Sequence, residues 1–222
     1  MKLYHCPQTR AFRALWLLEE SGLDFDILAV DIRDEASRAD ATFRSASPMG
    51  KVPALIDGDT KLWDSGAIAL HLVDSYPQAG LGPAVGEPGR GSFIQWVMFT
   101  NAVFEPALME KFTNAAVDSS RSGHGSFPQM IEIVENGLQP GPWLMGERFT
   151  AADVLVGSSC HFMKLFGAMP DSPPIAAYIE RCQSRPAFAA AQAVEAGPLQ
   201  AMNRRNRWTP RSDRTSRTVL RM

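Results

Sequence analysis

The chain has 222 residues, a formal net charge of −2 and 45% hydrophobic residues. This length suffices for one large domain or two small ones with a real core. The composition is that of an ordinary globular protein, without the charge excess that binding to nucleic acid or an anionic membrane surface favours. The first ten residues lack the apolar run of a signal peptide, and no stretch of about 18 apolar residues predicts a membrane span.

The cysteines and histidines give two further expectations. Three cysteines, at positions 6, 160 and 182, form an odd and sparse set that is typical of a reduced, cytoplasmic protein. The four histidines are scattered, and no Cys/His pair has the spacing of metal ligands. We therefore expect a cytoplasmic protein without a metal site.

In chain order, residues 1–77 alternate strand-like and helix-like segments. KLYH predicts a short strand, AFRALWLLEES a helix that Gly22 ends, FDILAVDI a second strand and RDEASRADATFRSA a polar helix. VPALIDGDTKLWDS predicts a β-hairpin around its DGD turn, and SGAIALHLVDSY predicts a helix that ends before Pro77. The predicted order is βαβαββα.

After residue 77 the composition and the hydrophobic pattern of the chain change. Residues 78–89 mark a linker, because they contain four glycines and two prolines, and residues 90–201 have a helical pattern nearly throughout. We therefore predict an α/β domain followed by an all-helical domain. Residues 202–222 contain seven arginines against one aspartate, which favours a disordered tail. The alternative is an arm for an anionic surface or nucleic acid, for which the one aromatic residue, Trp208, gives little support.

The segment SPMGKVPAL, residues 47–55, places Pro53 at the start of a predicted strand. Proline cannot donate to a strand ladder and therefore occurs at strand starts and edges. A cis Val52–Pro53 bond would present the backbone of Val52 to an extended peptide, which could pair with this edge. A plain turn is the alternative, and this motif alone favours it, since only about 5% of X–Pro bonds in folded proteins are cis.

Asp64 and Ser65 lie where the predicted hairpin ends and the next helix begins. Ser65 suits the N-cap position, and a helix N-terminus attracts a carboxylate through its N–H groups and its dipole. Asp64 can accept from a ligand ammonium. One helix start therefore offers both halves of an amino-acid head group, and the alternative is that Ser65 only caps its own helix.

These two segments, together with GERFTAADV in the helical half, resemble cytosolic glutathione transferases of the bacterial type over about residues 1–200. The resemblance implies a thioredoxin-like N-terminal domain, a helical C-terminal domain, a homodimer and a role in detoxification. In FTAADV it implies a buried capping box, in which Thr150 caps a helix and Asp153 reaches back to it. It also implies that glutathione, as co-substrate, is bound by five residues: Lys51, Val52, cis-Pro53, Asp64 and Ser65.

The first turn, HCPQTR, is the candidate catalytic site. The thiolate is the nucleophilic form of glutathione, and an ordinary thiol has a pKa near 8.5. The N-terminus of the helix at Ala11, the hydroxyl of Thr9 and the charge of Arg10 would each lower that pKa. Within the resemblance, Thr9 takes the place of the serine of theta-like members. Cys6 begins the redox turn of omega-like members, and the beta-class cysteine position holds Arg10.

Three hypotheses follow for the function. In a transferase, the glutathione thiolate attacks an apolar electrophile, with Thr9 as hydrogen-bond donor and Arg10 assisting. In a thiol-disulfide reductase, the Cys6 thiolate attacks a mixed disulfide that glutathione resolves. A transferase-fold binding or scaffold protein without catalysis would use its dimer surface or the arginine-rich tail. The alternative roles of the two turn residues are helix capping for Thr9 and a small hydrophobe at a strand end for Cys6.

The electrophile pocket is expected in the helical half, from apolar side chains at helical spacing. The partners that we expect are a small electrophile and a second copy of the chain, without nucleic acid or membrane. Ordinary core packing is the alternative for each pocket residue: Trp96, Phe99, Val103, Met163 and Phe166.

Overall fold

The structure is a computed structural model, and it describes residues 1–114, 118, 120–199 and 202, with the backbone of 204–206. The α/β part confirms the predicted order, except that the polar helix is two short helices. Asp40 separates them, because its ψ of 125° leaves the helical region and its side chain accepts from the N–H of Phe43 at 2.8 Å. The elements are β1 (Lys2–His5), α1 (Ala11–Ser21), β2 (Phe25–Ala29), α2 (Glu35–Ala39), α3 (Ala41–Ala46), β3 (Ala54–Asp57), β4 (Thr60–Trp63) and α4 (Ser65–Ser75).

The sheet has the strand order β4-β3-β1-β2, with β2 parallel to β1 and the other pairs antiparallel. A fifth strand, β5 (Arg204–Asn206), pairs antiparallel with β2. This corrects the expectation of disorder for these three residues. Without them β2 would be an edge strand, whose unpaired backbone groups favour the addition of a strand. Position 203 and positions 207–222 of the predicted tail lie outside the described residues.

Helices make up the second part, from residue 90 onwards. A 3₁₀ turn (Pro77–Ala79) precedes them, and a π-helical turn (Thr100–Phe104) joins the first two. No helix in the described ranges is long and apolar enough to cross a membrane. The helices are α5 (Arg90–Phe99), α6 (Glu105–Thr113), α7 (Phe127–Gly137), α8 (Ala151–Leu165), α9 (Pro173–Gln183) and α10 (Pro186–Glu195).

Helix α1 lies between the sheet and the helical part, and its apolar face is fully buried. Trp16 and Phe12 pack edge-on against Phe188 of α10, with ring centroids 4.9 and 5.2 Å apart. Such pairs add about 0.5–1.5 kcal/mol each beyond the burial of their area. The packing fixes the N-terminal end of α1, and so the turn before it, against α8 and α10.

The capping box predicted at the start of α8 is confirmed. The backbone N–H of Thr150 donates to Asp153 Oδ2 at 2.9 Å, and the Thr150 hydroxyl caps the helix from the other side. Both side chains are buried. Thr150 and Asp153 therefore stabilise the helical core and are not part of the candidate active site.

Candidate functional site

The loop before β3 is held in place by a buried serine. Ser47 Oγ donates to the carbonyl of Lys51 at 2.7 Å and accepts from its N–H at 3.0 Å. Gly50 has a φ of +63°, which glycine adopts without the strain that a Cβ brings. The Val52–Pro53 bond is cis, as the resemblance implied.

Helix α4 begins with Asp64 as its N-cap, which corrects the prediction of Ser65 for that place. Asp64 Oδ1 accepts from the N–H of Gly66 at 2.8 Å and of Ala67 at 3.4 Å, so the aspartate satisfies two of the free amides at the start of the helix. The same oxygen accepts from Asn101 Nδ2 of the π turn at 2.7 Å. All three bonds are therefore made by Oδ1 of the carboxylate. Ser65, which follows the cap, is the first residue of the helix.

A polar cavity of about 170 Å³ brings together the five residues predicted to bind glutathione. It lies where the loop before β3, the start of α4 and the start of α1 meet. Lys51 is exposed at its rim, whereas Val52 and Ser65 are buried in its wall. Its lining is Arg10, Arg13, Ser47, Met49, Lys51, Val52, Pro53, Trp63, Asp64, Ser65 and Asn101.

A buried ion pair lies behind this cavity. The side chain of Arg13 is 2% exposed and that of Glu105 is 15% exposed, and Arg13 Nη2 donates to Glu105 Oε1. Arg13 also donates to Ser158 Oγ at 3.0 Å and to Ser159 Oγ at 2.7 Å. Burial alone would raise the pKa of Glu105, but the charges of Arg13 and Arg10 outweigh it and hold the pKa below its usual value. Glu105 is therefore ionised at neutral pH.

The first turn uses most of its own polar groups. Thr9 Oγ1 donates to the carbonyl of Cys6 at 2.6 Å and accepts from the N–H of Ala11 at 3.2 Å. The next two amides of α1 bond to the carbonyls of Thr9 and Arg10, at 3.2 Å each. The N–H groups expected to face a thiolate are thus engaged within the turn. The hydroxyl of Thr9 is likewise bonded within the turn, and the guanidinium of Arg10, which is 53% exposed, is paired with Glu105.

Cys6 has no exposed surface. Arg33 Nη1 lies 3.2 Å from its Sγ, and Arg33 Nη2 donates to the carbonyl of Pro7 at 3.1 Å. Cys160 and Cys182 are also free and buried, and burial raises the pKa of Cys160 to about 12. None of these three thiols is open to attack from solvent in this conformation.

A second cavity of about 120 Å³, which we call the apolar cavity because one of its walls is apolar, adjoins the polar one, and the two share Arg10 and Arg13. Thr9, Gln8 and Glu105 complete its polar side, and its apolar side consists of Leu108, Phe112, Phe162 and Phe166. A third cavity, of about 640 Å³, shares Gln8, Phe162 and Phe166 with it and extends to the end of α10.

Four of the five residues predicted for the electrophile pocket lie in or against the helical core. Met163 has no exposed surface and Phe99 is 8% exposed, while Trp96 and Val103 pack against the core cluster. Only the alternative role, core packing, is seen for these four, because a stripe facing a core and a stripe facing a cavity have the same helical period. Phe166 does line the apolar cavity.

Four further polar residues reach the site without having been predicted: Arg13, Asn101, Glu105 and Glu195. Arg13 could have been identified from the sequence, because it is a charged residue inside the apolar run AFRALWLL. The others make contacts between residues that are far apart in sequence, and nothing in their surroundings marks them. The π turn between α5 and α6 carries Asn101 and is followed by Glu105, an irregularity that often accompanies functional sites.

Two family profiles match the chain. Residues 1–74 match the profile described as "Glutathione S-transferase, N-terminal domain", and residues 95–181 match "Glutathione S-transferase, C-terminal domain". Together they agree with the thioredoxin-like α/β part and the helical part of the structure.

Individual proteins of this kind resemble the chain along most of its length. The glutathione transferase of Methylococcus capsulatus has 30% identity over 87% of this chain and 98% of its own, with a TM-score of 0.74. A sphingomonad glutathione S-transferase complexed with glutathione has 27% identity over 88% and 98%, with a TM-score of 0.72. Glutathione S-transferase GstA of Escherichia coli O157:H7 is 26% identical over 84% of this chain and 94% of that protein. With both profiles and these relatives in agreement, the chain belongs to the glutathione S-transferase family.

Proposed function

We propose that this protein is a glutathione transferase, which lowers the pKa of the glutathione thiol and directs the thiolate at an apolar electrophile. The observation that carries the proposal is the junction of the polar and the apolar cavity at Arg10 and Arg13. Glutathione anchored at Asp64 and Ser65 and paired with the backbone of Val52 would extend its thiol toward that junction.

The charges of the polar cavity complement those of glutathione, which carries two carboxylates and one ammonium. Ser65, the first residue of α4, suits one carboxylate through its hydroxyl, because Asp64 already takes the N–H groups of Gly66 and Ala67. Asp64 takes its bonds from the protein on Oδ1, and its other oxygen suits the ammonium. Lys51, exposed at the rim, suits the second carboxylate.

Activation of the thiol falls to Thr9, with Arg10 assisting. Lowering a pKa of about 8.5 by two units corresponds to ~2.7 kcal/mol. To donate to a thiolate, the Thr9 hydroxyl leaves the carbonyl of Cys6, a rotation about one bond that exchanges a neutral hydrogen bond for a stronger, charge-assisted one. The thiol proton goes to solvent, the sulfur–carbon bond forms, and the leaving group departs with its electron pair.

The two rival hypotheses receive less support. A reductase needs Cys6 to meet a mixed disulfide, and this thiol has no exposed surface. A scaffold has no need of a cavity in which the five residues of the glutathione set converge.

We also propose a cytoplasmic homodimer. Ile94 and Met98 lie one turn apart on α5 with 37% and 44% of their surface exposed, and the exposed Ala102 continues the same face. An apolar stripe of this kind on an exposed helix face suits a second copy of the chain. The three free cysteines are typical of a reducing compartment.

The test is a pH titration of the ultraviolet thiolate absorbance of bound glutathione. It uses the Cys6→Ser background, which removes the nearest protein thiol, with Thr9→Val as the variant and Thr9→Ser as its matched control. We expect a bound pKa about two units below that of free glutathione, kept by Thr9→Ser and raised by about one unit in Thr9→Val. Bound glutathione with an unshifted pKa would contradict the proposal and favour the thiol-disulfide reductase hypothesis, in which Cys6 reacts. No binding at all would leave the scaffold hypothesis.

A further inference from the structure

Glu195 is the last residue of α10, and it reaches from the helical part to the first turn. Its Oε2 accepts from the backbone N–H of Gln8 at 2.8 Å. Its Oε1 lies 3.0 Å from Nε2 of His5, at ion-pair distance although the angle is not that of a hydrogen bond. The imidazole of His5 is completely buried and the side chain of Glu195 is 16% exposed. One carboxylate thus contacts both the end of β1 and the turn that follows it.

The turn needs such a contact, because Gln8 has a φ of +57°. Residues other than glycine seldom adopt this region, and a strained conformation of this kind persists only where the surroundings hold it. The hydrogen bond from Gln8 to a carboxylate is charge-assisted and therefore stronger than a neutral one. Gln8 immediately precedes Thr9, the proposed donor.

Two other side chains, Arg33 and Thr9, hold carbonyls of the turn, and the bond from Thr9 opens in the proposed reaction. Arg33 Nη2 binds the carbonyl of Pro7, and the Thr9 hydroxyl binds the carbonyl of Cys6. When Thr9 turns to the thiolate, its own bond to the turn is lost. Glu195 and Arg33 are then the side chains that keep the backbone in place.

We infer that Glu195 is a positioning residue, through which α10 holds the backbone of the first turn in the conformation that activates glutathione. The inference rests on the proposed function for its catalytic consequence, but not for the clamp itself. Because α10 is docked by Phe188 against Trp16 and Phe12, the carboxylate is supplied from a rigid element.

The kinetic test compares Glu195→Ala and Glu195→Gln, with Glu180→Gln as the control. We expect Glu195→Ala to lower kcat for a chloronitrobenzene electrophile about tenfold, the effect of losing one charge-assisted hydrogen bond. The dissociation constant of glutathione should change less than about twofold, since the five residues predicted to bind glutathione belong to the loop before β3 and the start of α4. Glu195→Gln keeps an acceptor for Gln8 and should keep most of the rate. Glu180 is an exposed glutamate of α9, so its variant should match the wild type.

Unchanged kcat in Glu195→Ala would overturn the inference, even with a lowered melting temperature. So would an equal loss of rate in Glu180→Gln. A rise in the pKa of bound glutathione in Glu195→Ala, with binding intact, would support it, because a merely structural contact would not move that value.

A second measurement needs no glutathione. Cys6 has no exposed surface while the turn is held, so release of Gln8 should speed its alkylation by iodoacetamide about tenfold. Mass mapping of the labelled peptides separates Cys6 from Cys160 and Cys182, which serve as internal controls. A faster reaction at Cys6 alone supports the clamp. An unchanged reaction, or an equal rise at all three cysteines, overturns it.

The labelling also separates the two proposals. If the wild type neither binds nor conjugates glutathione, the proposed function fails, and the reaction of Cys6 still decides whether Glu195 holds the turn. Should Glu195→Ala not fold, Glu195→Asp keeps the charge but shortens the reach to Gln8 by one methylene. It should raise the labelling of Cys6 in the same way.

Discussion

Replacement of Glu105 by glutamine tests the ion pair that joins the two parts of the molecule. Glu105 begins α6 and accepts from Arg13 of α1, whose side chain is 2% exposed. It also accepts from Arg10, which is 53% exposed. The substitution keeps the size of the side chain and removes its charge, so Arg13 is left as a buried cation without a counter-ion.

The magnitude follows from the burial of each partner. Breaking a buried ion pair by removing one member costs about 3–5 kcal/mol, because the other charge is left uncompensated. Arg13 keeps its bonds to Ser158 and Ser159, which places the cost at the lower end. The half-exposed pair with Arg10 adds about 0–1 kcal/mol. We expect the free energy of unfolding to fall by about 3 kcal/mol.

The loss should depend on pH in a definite direction. The pKa of Glu105 is lower in the folded protein than in the unfolded chain. Its stabilising contribution is therefore fully present above the unfolded pKa of about 4.3, and it is lost as the pH falls through the folded pKa. The difference between wild type and Glu105→Gln should be largest near neutral pH and shrink under acid conditions.

Urea denaturation, followed by tryptophan fluorescence at several pH values, measures this difference. Glu180→Gln, an exposed change of the same kind on α9, is the control and should lie within about 0.5 kcal/mol of wild type. A Glu105→Gln protein as stable as this control would refute the reasoning. A loss of stability that grew toward low pH would refute it as well.

Three further predictions concern separate parts of the molecule. Ser65→Ala should weaken glutathione binding about tenfold in calorimetry, since the ligand loses its hydrogen bond to the buried hydroxyl at the start of α4. Unchanged affinity would remove Ser65 from the site. Met98→Glu should convert the proposed dimer to a monomer in sedimentation, whereas Met98→Leu should not, and a dimer in both would place the interface elsewhere. Thr150→Ala should lower the free energy of unfolding by about 1–2 kcal/mol, with Thr150→Ser close to wild type, because the hydroxyl caps α8.

The parts of the fold that the sequence predicts are those with local causes. Hydrophobic periodicity predicted the order of strands and helices, and the turn residues predicted their ends, as at Gly22, whose φ of 65° closes α1. The break at Asp40 was missed because two short polar helices and one longer helix have the same composition. At α4 the motif was right and the cap was wrong by one residue, since both Asp64 and Ser65 are good caps.

The parts of the site that could not be predicted depend on contacts across the chain. Glu195 meets Gln8 across 187 positions and Glu105 meets Arg13 across 92, and neither glutamate stands out from its helix. The predicted electrophile pocket shows the same difficulty. Periodicity gives the apolar face of a helix, and only the packing of the whole domain decides whether that face meets a core or a cavity.

We expect Glu105 to have two opposing effects. It stabilises the fold through Arg13, but its negative charge disfavours a glutathione thiolate at the site. Arg10, Arg13 and Lys51 outnumber Glu105 and Asp64 by one positive charge, while neutral-pH glutathione has one net negative charge and its thiolate two. Removing the charge of Glu105 raises the local positive charge and frees Arg10, and a nearby cation favours a thiolate. We therefore expect Glu105→Gln to lower the pKa of bound glutathione while it destabilises the fold. Thiolate absorbance of the variant with glutathione bound measures this. A raised pKa would mean that Glu105 acts by positioning Arg10, so that the geometry of the guanidinium outweighs its charge.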